Sequence, residues 1–146
     1  MPGQTKSARK VKCYCGSLRQ VTRVITQLYD RYLKPAGMIT AQFSLLRFVV
    51  ANRGARTSDL AKALLIDTST LTRTLANLES IGWIAREISE DRRERRWVIT
   101  REGGKRLDRA IPLWEQAQAE LDEKIGSADM RRLARTVSEI SAKLAA

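Results

Sequence analysis

Histidine is absent from this 146-residue chain. That removes the most versatile general base near neutral pH and the commonest transition-metal ligand together. Cysteine is scarce: Cys13 and Cys15 are the two present, too few for a four-thiolate zinc site. Neither a Ser/His/Asp nor a Cys/His arrangement can be assembled, and Gly103-Gly104 is a bare dipeptide, not a phosphate-cradling loop. The carboxylates are scattered among surface charges, so neither an enzyme nor a metal or cofactor site is expected. Long hydrophobic runs are lacking as well. No stretch approaches the roughly 18 apolar residues of a bilayer span, and the basic N-terminus has no apolar segment behind it, unlike a secretory signal. The expectation is a cytoplasmic protein without membrane association.

Positive charge is what the chain has in excess. Twenty-seven Lys+Arg against sixteen Asp+Glu give a net charge of +11 and an isoelectric point near 10.4. Such a balance points to a polyanionic partner, nucleic acid before an acidic membrane surface. The hydrophobic fraction of 43% is that of a globular protein, and the length fits one compact domain with attached helices. Residues 1–12, carrying Lys6, Arg9, Lys10 and Lys12, read as a disordered basic arm.

Hydrophobic period orders the rest. From about Cys15 to Lys34, apolar residues at Leu18, Val21, Ile25, Leu28, Tyr29 and Tyr32 have helical spacing, and Pro35 with Gly37 ends the run. Thr40 is a plausible cap for a second helix that buries Phe43, Leu45, Leu46, Phe48 and Val49. Two short helices follow: Thr57 caps one carrying Leu60, Ala61, Leu64 and Leu65, and Asp67 caps another carrying Leu71, Leu75 and Leu78, closed by Gly82. The connection between them is so short that they must cross steeply, as in a helix-turn-helix.

The period then drops to two. Residues 83–88 and 95–99 read as strands joined by the polar loop Ser89 to Glu94, a hairpin wing. Thr100 opens a long helix with Pro112 inside it, where a bend or irregularity is expected. Ser127 is read as the cap of a last helix whose Met130, Leu133, Val137, Ile140 and Leu144 are spaced 3, 4, 3 and 4 apart. That seam wants a partner helix, and with Leu18, Val21 and Ile25 it is assigned to dimerisation.

The residues suited to DNA lie in the middle. A recognition helix needs short polar side chains near its start, so that its backbone can approach base edges. Thr68, Ser69, Thr70, Thr72 and Arg73 supply that surface, and Thr57 joins them from the preceding helix. At the wing, Arg93 is assigned to the minor groove, with Asp91 two residues earlier pairing with its guanidinium. Arg86, Arg92, Arg95 and Arg96 crowd the same hairpin and are assigned to phosphates.

Taken in order, Leu60-Ala61, Asp67 to Arg73, Leu78-Glu79-Ser80-Ile81-Gly82-Trp83-Ile84, Asp91-Arg92-Arg93 and Ile99-Thr100-Arg101-Glu102-Gly103 resemble the signature of the MarR family of transcriptional regulators. The likeness is strong over residues 40 to about 110. It implies a mainly α fold with a small β-hairpin wing, a winged helix-turn-helix (38–103) flanked by N- and C-terminal dimerisation helices (13–36 and 104–146). It implies a homodimer, in the main a repressor, that sits on a pseudo-palindromic double-stranded DNA operator and so associates with the bacterial nucleoid. It also implies release by a small aromatic or phenolic effector held between the dimerisation helices and the winged module. A second route is oxidation of Cys15, similar in position to the reactive cysteine of the family's organic-peroxide sensors, with Cys13 nearby. Arg19 and Ala41 stand where those sensors carry tyrosines. A Cys13–Cys15 bond is not expected, because i, i+2 side chains on a helix do not face one another. The rival class is a basic helical scaffold, against which the arginine-rich hairpin argues.

Overall fold

The computed structural model describes residues 13–88, 90–91, 93–94 and 96–145. The basic arm and the wing residues Arg92 and Arg95 therefore lie outside the described residues.

Helix α1 (Tyr14–Leu33) starts where Cys13 leaves extended backbone and its Sγ accepts the Gly16 N–H at 3.4 Å. Pro35 tightens the chain into a single 3-10 turn, Lys34–Ala36, which Gly37 ends at φ 67. Helix α2 (Thr40–Ala51) runs through the core, burying Phe43, Leu45, Leu46 and Val49. A two-residue strand β1 (Ala55–Arg56) precedes α3 (Thr57–Leu64), and α4 (Thr68–Ser80) follows after residues 65–67. In that turn Leu65 adopts the left-handed conformation, φ 52, without being glycine, a conformation that costs an L-residue about 1–2 kcal/mol.

Strands β2 (Ile84–Glu87) and β3 (Arg96–Ile99) form the wing, and β1 adds to the other edge of β3, giving an antiparallel sheet in the order β1-β3-β2. Two residues carry no readable period, so β1 escapes a sequence reading. Helix α5 (Arg101–Ile125) passes through Pro112 as one uninterrupted helix, where an irregularity is expected from the sequence; α6 (Ser127–Leu144) closes the fold.

Leu33, Leu46 and Leu78 are wholly buried in the core between α1, α2, α4 and the sheet, and Trp83 and Trp97 seal its wing side. The glycine of Ile99-Thr100-Arg101-Glu102-Gly103 has a steric reason: a Cβ on Gly103 would stand 2.0 Å from the Trp83 carbonyl oxygen. Thr100 holds this corner, accepting the Gly103 N–H on Oγ1 at 3.0 Å and donating that hydroxyl to the Gly82 carbonyl at 2.5 Å.

Three expected caps are corrected by one residue. Thr40 is the first residue of α2, not its cap; its N–H and hydroxyl both donate to Asp30 Oδ1, at 2.7 and 2.5 Å, while Gln42 accepts from the Ile39 N–H. Thr57 begins α3 after Arg56, whose N–H donates to Asp59 Oδ2 at 3.3 Å. Ser127 begins α6 after Gly126. Asp67 caps as the sequence predicts, and Thr100, read from the sequence as opening α5, is its cap.

Polar contacts join α1 to α5. Glu120 on α5 accepts from Tyr32 at 2.6 Å, Lys124 at 2.6 Å and Arg31 at 3.1 Å, which holds its carboxyl down at about 2. Tyr29 donates its hydroxyl to Gln118 nearby.

Candidate nucleic-acid interface

Helix α4 separates its faces cleanly. Leu71, Leu75 and Leu78 are buried, while Thr68, Ser69, Thr70, Thr72 and Arg73 are all exposed. The exposed hydroxyls are disciplined by the backbone and by the cap. Thr72 donates to the Thr68 carbonyl at 2.7 Å, and Asp67 Oδ2 accepts from the Ser69 hydroxyl at 2.7 Å, the Thr70 hydroxyl at 2.8 Å and the Thr70 N–H at 2.9 Å. These bonds, the Ser69 hydroxyl first, lower the Asp67 carboxyl from its ordinary value to about 2. The capping carboxylate therefore stays ionised at the positive end of α4. Each hydroxyl that donates inward leaves oxygen lone pairs, and in Thr72 a methyl group, for an approaching groove.

At the wing, Arg86 is directly opposite Trp97 across the β2–β3 pair. Its guanidinium grips Glu79 of α4 with two bonds, Nε to Oε2 at 2.7 Å and NH2 to Oε1 at 2.8 Å, and lies 5.6 Å from the Trp97 ring centroid. The Trp97 indole N–H donates to Thr57 Oγ1 at 2.9 Å. Arg96 pairs with Glu94 at 2.8 Å, and Glu94 also reaches Arg56 at 3.4 Å. At the tip, Asp91 Oδ1 accepts the backbone N–H of Arg93 at 3.1 Å. The sequence predicts a guanidinium partnership between these two; the contact described is to the Arg93 backbone. Arg73 and Arg93 are exposed and form no ion pair among the described residues.

Thus the structure exposes Thr68, Ser69, Thr70, Thr72 and Arg73 on α4 and Arg93 at the wing tip. It engages Thr57 with Trp97 and Arg86 with Glu79. Sequence reasoning missed the Arg56–Glu94–Arg96 relay, since nothing in the spacing pairs residues 38 positions apart.

The residues of a second feature were not named from the sequence. Between α1, α2 and α5 lies a cavity of about 510 Å³, lined by Ile25, Tyr29, Phe43, Arg47, Phe48 and Trp114 among others. Phe43 and Trp114 stack at 5.8 Å, and the Arg47 guanidinium lies over both rings, 4.7 Å from the Trp114 centroid. A third surface is apolar. Leu18, Val21, Ile25, Met130, Leu133, Val137 and Ile140 line a groove between α1 and α6, and α6 buries none of its residues within the chain. Cys13 and Cys15 are both exposed thiols at the start of α1.

Two helices in steep succession, the second with a polar outer face, followed directly by a hairpin, define a winged helix-turn-helix. Residues 40–94 match the model of the MarR family. The fold is similar to that of the M. tuberculosis transcriptional regulator MosR in complex with DNA, with TM-score 0.79 and 30% identity, over 91% of this chain and 98% of that one. It is also similar to the transcriptional repressor CouR bound to a 23-mer DNA duplex, with TM-score 0.81 and 25% identity, over 88% and 92% of the two chains. The HTH-type transcriptional regulator YwoH of Bacillus subtilis is 32% identical over 92 residues, 62% of this chain and 66% of its own. The chain spans just under two thirds of the length of the curated relatives it matches. The chain belongs to the MarR family of DNA-binding transcriptional regulators. No helix among the described residues is long and apolar enough to cross a membrane, and no group of metal-ligating side chains gathers there.

Proposed function

We propose that this chain acts as a homodimeric repressor on a pseudo-palindromic duplex operator. The start of α4 reads bases in the major groove and Arg93 enters the adjacent minor groove. The observation that carries this reading is the pairing pattern of the arginines. Arg73 and Arg93 are exposed and form no ion pair among the described residues, whereas Arg86 and Arg96 are held by carboxylates. A net charge of +11 supplies the general attraction to phosphate.

The second copy covers the α1/α6 groove. Leu133, Val137 and Ile140 are each about 40% exposed in the single chain, and their spacing is that of a helix–helix seam. Two-fold pairing through this seam presents two α4 helices to successive major grooves.

The effector site of this reading is the cavity between α1, α2 and α5. Aromatic walls with a guanidinium at the mouth suit a small anionic aromatic or phenolic molecule, stacked on Trp114 and paired with Arg47. Oxidation of Cys15 is a second release route, favoured by the exposure of both thiols.

Selection of bound sequences from a random duplex pool, followed by gel shift against salt, tests the core of the proposal. A palindromic site bound well above random duplex is the expected result. Equal affinity for all duplexes would leave a basic helical scaffold instead. Benzoate-class acids should release the operator from wild type and not from Arg47→Ala, and peroxide should release it from wild type and not from Cys15→Ser.

A further inference from the structure

The sequence places Arg86 and Thr57 among the DNA contacts, yet both side chains are engaged within the protein, Arg86 by Glu79 at an exposed position and Thr57 by the Trp97 indole. From Glu79 in the last turn of α4, a continuous chain of contacts runs through Arg86 on β2 and Trp97 on β3 to Thr57, the first residue of α3. It touches both helices of the helix-turn-helix and both strands of the hairpin. The end of α4 that it holds is opposite to the end that faces the groove. A small rotation there is levered along the 13-residue helix to the threonines at its start. Trp97 is 3% exposed, so the relay is anchored in the core and not on a mobile surface.

Resting on the proposed mode of DNA binding, we propose that Arg86 is a positioning residue: its bidentate bond to Glu79 and its cation–π contact with Trp97 set the angle between the recognition helix and the wing. Its guanidinium is not a phosphate contact. Thr57 serves the same relay by accepting the indole N–H. Major-groove and minor-groove readers must engage one duplex together, so the angle between α4 and the wing decides how well a specific site is matched and matters little to random DNA. A planar fork is required, because lysine carries the charge but can neither bond Glu79 twice nor lie flat on an indole.

The two roles for Arg86 predict opposite signs at Glu79. If Arg86 contacts phosphate, Glu79→Gln frees it and removes a negative charge beside the DNA, so binding tightens. If Arg86 positions the wing, Glu79→Gln weakens the operator complex.

The experiment is fluorescence anisotropy with the full chain, on the operator selected by wild type and on a random duplex of equal length, across a salt series. Thermal melts confirm that each variant is folded. Glu79→Gln and Arg86→Lys are expected to lose about tenfold in operator affinity, comparable to one mismatched base pair, and to keep the affinity for random duplex. Arg86→Ala is expected to keep the slope of log affinity against log salt within half a unit of wild type. An unchanged or tighter Glu79→Gln complex, or a slope reduced by about 0.9 in Arg86→Ala as for one lost phosphate contact, overturns the inference. Failure of wild type itself to select an operator would instead sink the proposed function.

Discussion

The winged module and the outer helices solve opposite problems with the same chain. In the module, α2, α3, α4 and the sheet bury their apolar residues together with the ends of α1 and α5 that face them, and several of its polar side chains are paired or capped. In the outer layer, α6 has nothing buried, and its seam from Leu133 to Leu144 stays exposed beside Leu18 and Val21. The module buries its core within one chain; α6 leaves its apolar seam exposed. Such a difference locates where the fold gets its stability and where the proposed dimer would form. Substitutions can therefore separate the two.

The largest effect is expected inside the module. Gly103→Ala drives a Cβ into the Trp83 carbonyl, backbone against backbone, with no flexible side chain to yield. We expect a loss of at least about 3 kcal/mol of stability, in the range of severe overpacking, read by urea unfolding. Leu78→Ala, at a wholly buried site, should cost about 2–5 kcal/mol. If either were tolerated without loss, the module would not be the self-sufficient half of the comparison.

In the outer layer the same kind of insult should be silent on folding and loud on assembly. Val137→Asp puts a charge into the α6 seam, and sedimentation should show monomer where wild type is a dimer, with the helical signal of the module kept. A dimer that survived Val137→Asp would place the two-fold interface elsewhere. A smaller effect is expected at the wing tip, where Arg93→Ala should weaken operator binding by about 1–3 kcal/mol, the usual worth of a good groove contact, and more than Arg19→Ala. Equal losses from the two would refute the tip assignment.

The two regions also differed in how much their sequence disclosed. Helix α4 was legible in detail because its signals are local: Asp67 caps, a leucine every three or four residues faces inward, and Gly82 stops the chain. The α6 seam was legible for the same reason. What lay hidden were the particular side-chain contacts between residues far apart in the chain. Thr57 looked like a cap with a free hydroxyl, until Trp97, 40 residues later, supplied its donor. Arg86 looked like one more basic side chain of the wing; its bond to Glu79, seven residues back across the α4–β2 corner, follows no helix or strand period. The Phe43–Arg47–Trp114 cavity needs α2 and α5 to be packed together before it exists. At Thr40 and Thr57 the cap slipped by one residue where a neighbouring carboxylate or glutamine took the backbone N–H, as Asp30 does at Thr40.

The finest test of the comparison uses pH. In the module the Asp67 carboxyl is lowered from 3.8 to about 2 by hydrogen bonds from Ser69 and Thr70. The folded state therefore prefers the ionised form, and the stabilisation is fully present above about pH 4 and fades as pH falls through about 2. Glu120, which ties α1 to α5, is also lowered to about 2 by Lys124, Tyr32 and Arg31, so both groups work against the fold in the same acid window. Replacing Asp67 by Asn keeps a competent cap but removes the titration. At pH 7 the Asp67→Asn protein should melt a few degrees below wild type, since a charged cap also meets the helix dipole. By pH 2.5 the gap in Tm should have narrowed, while the acid sensitivity that both proteins share through Glu120 should be reduced by Glu120→Gln. A gap that stayed constant from pH 7 to pH 2.5 would mean that the Asp67 carboxylate is not what holds the start of the recognition helix.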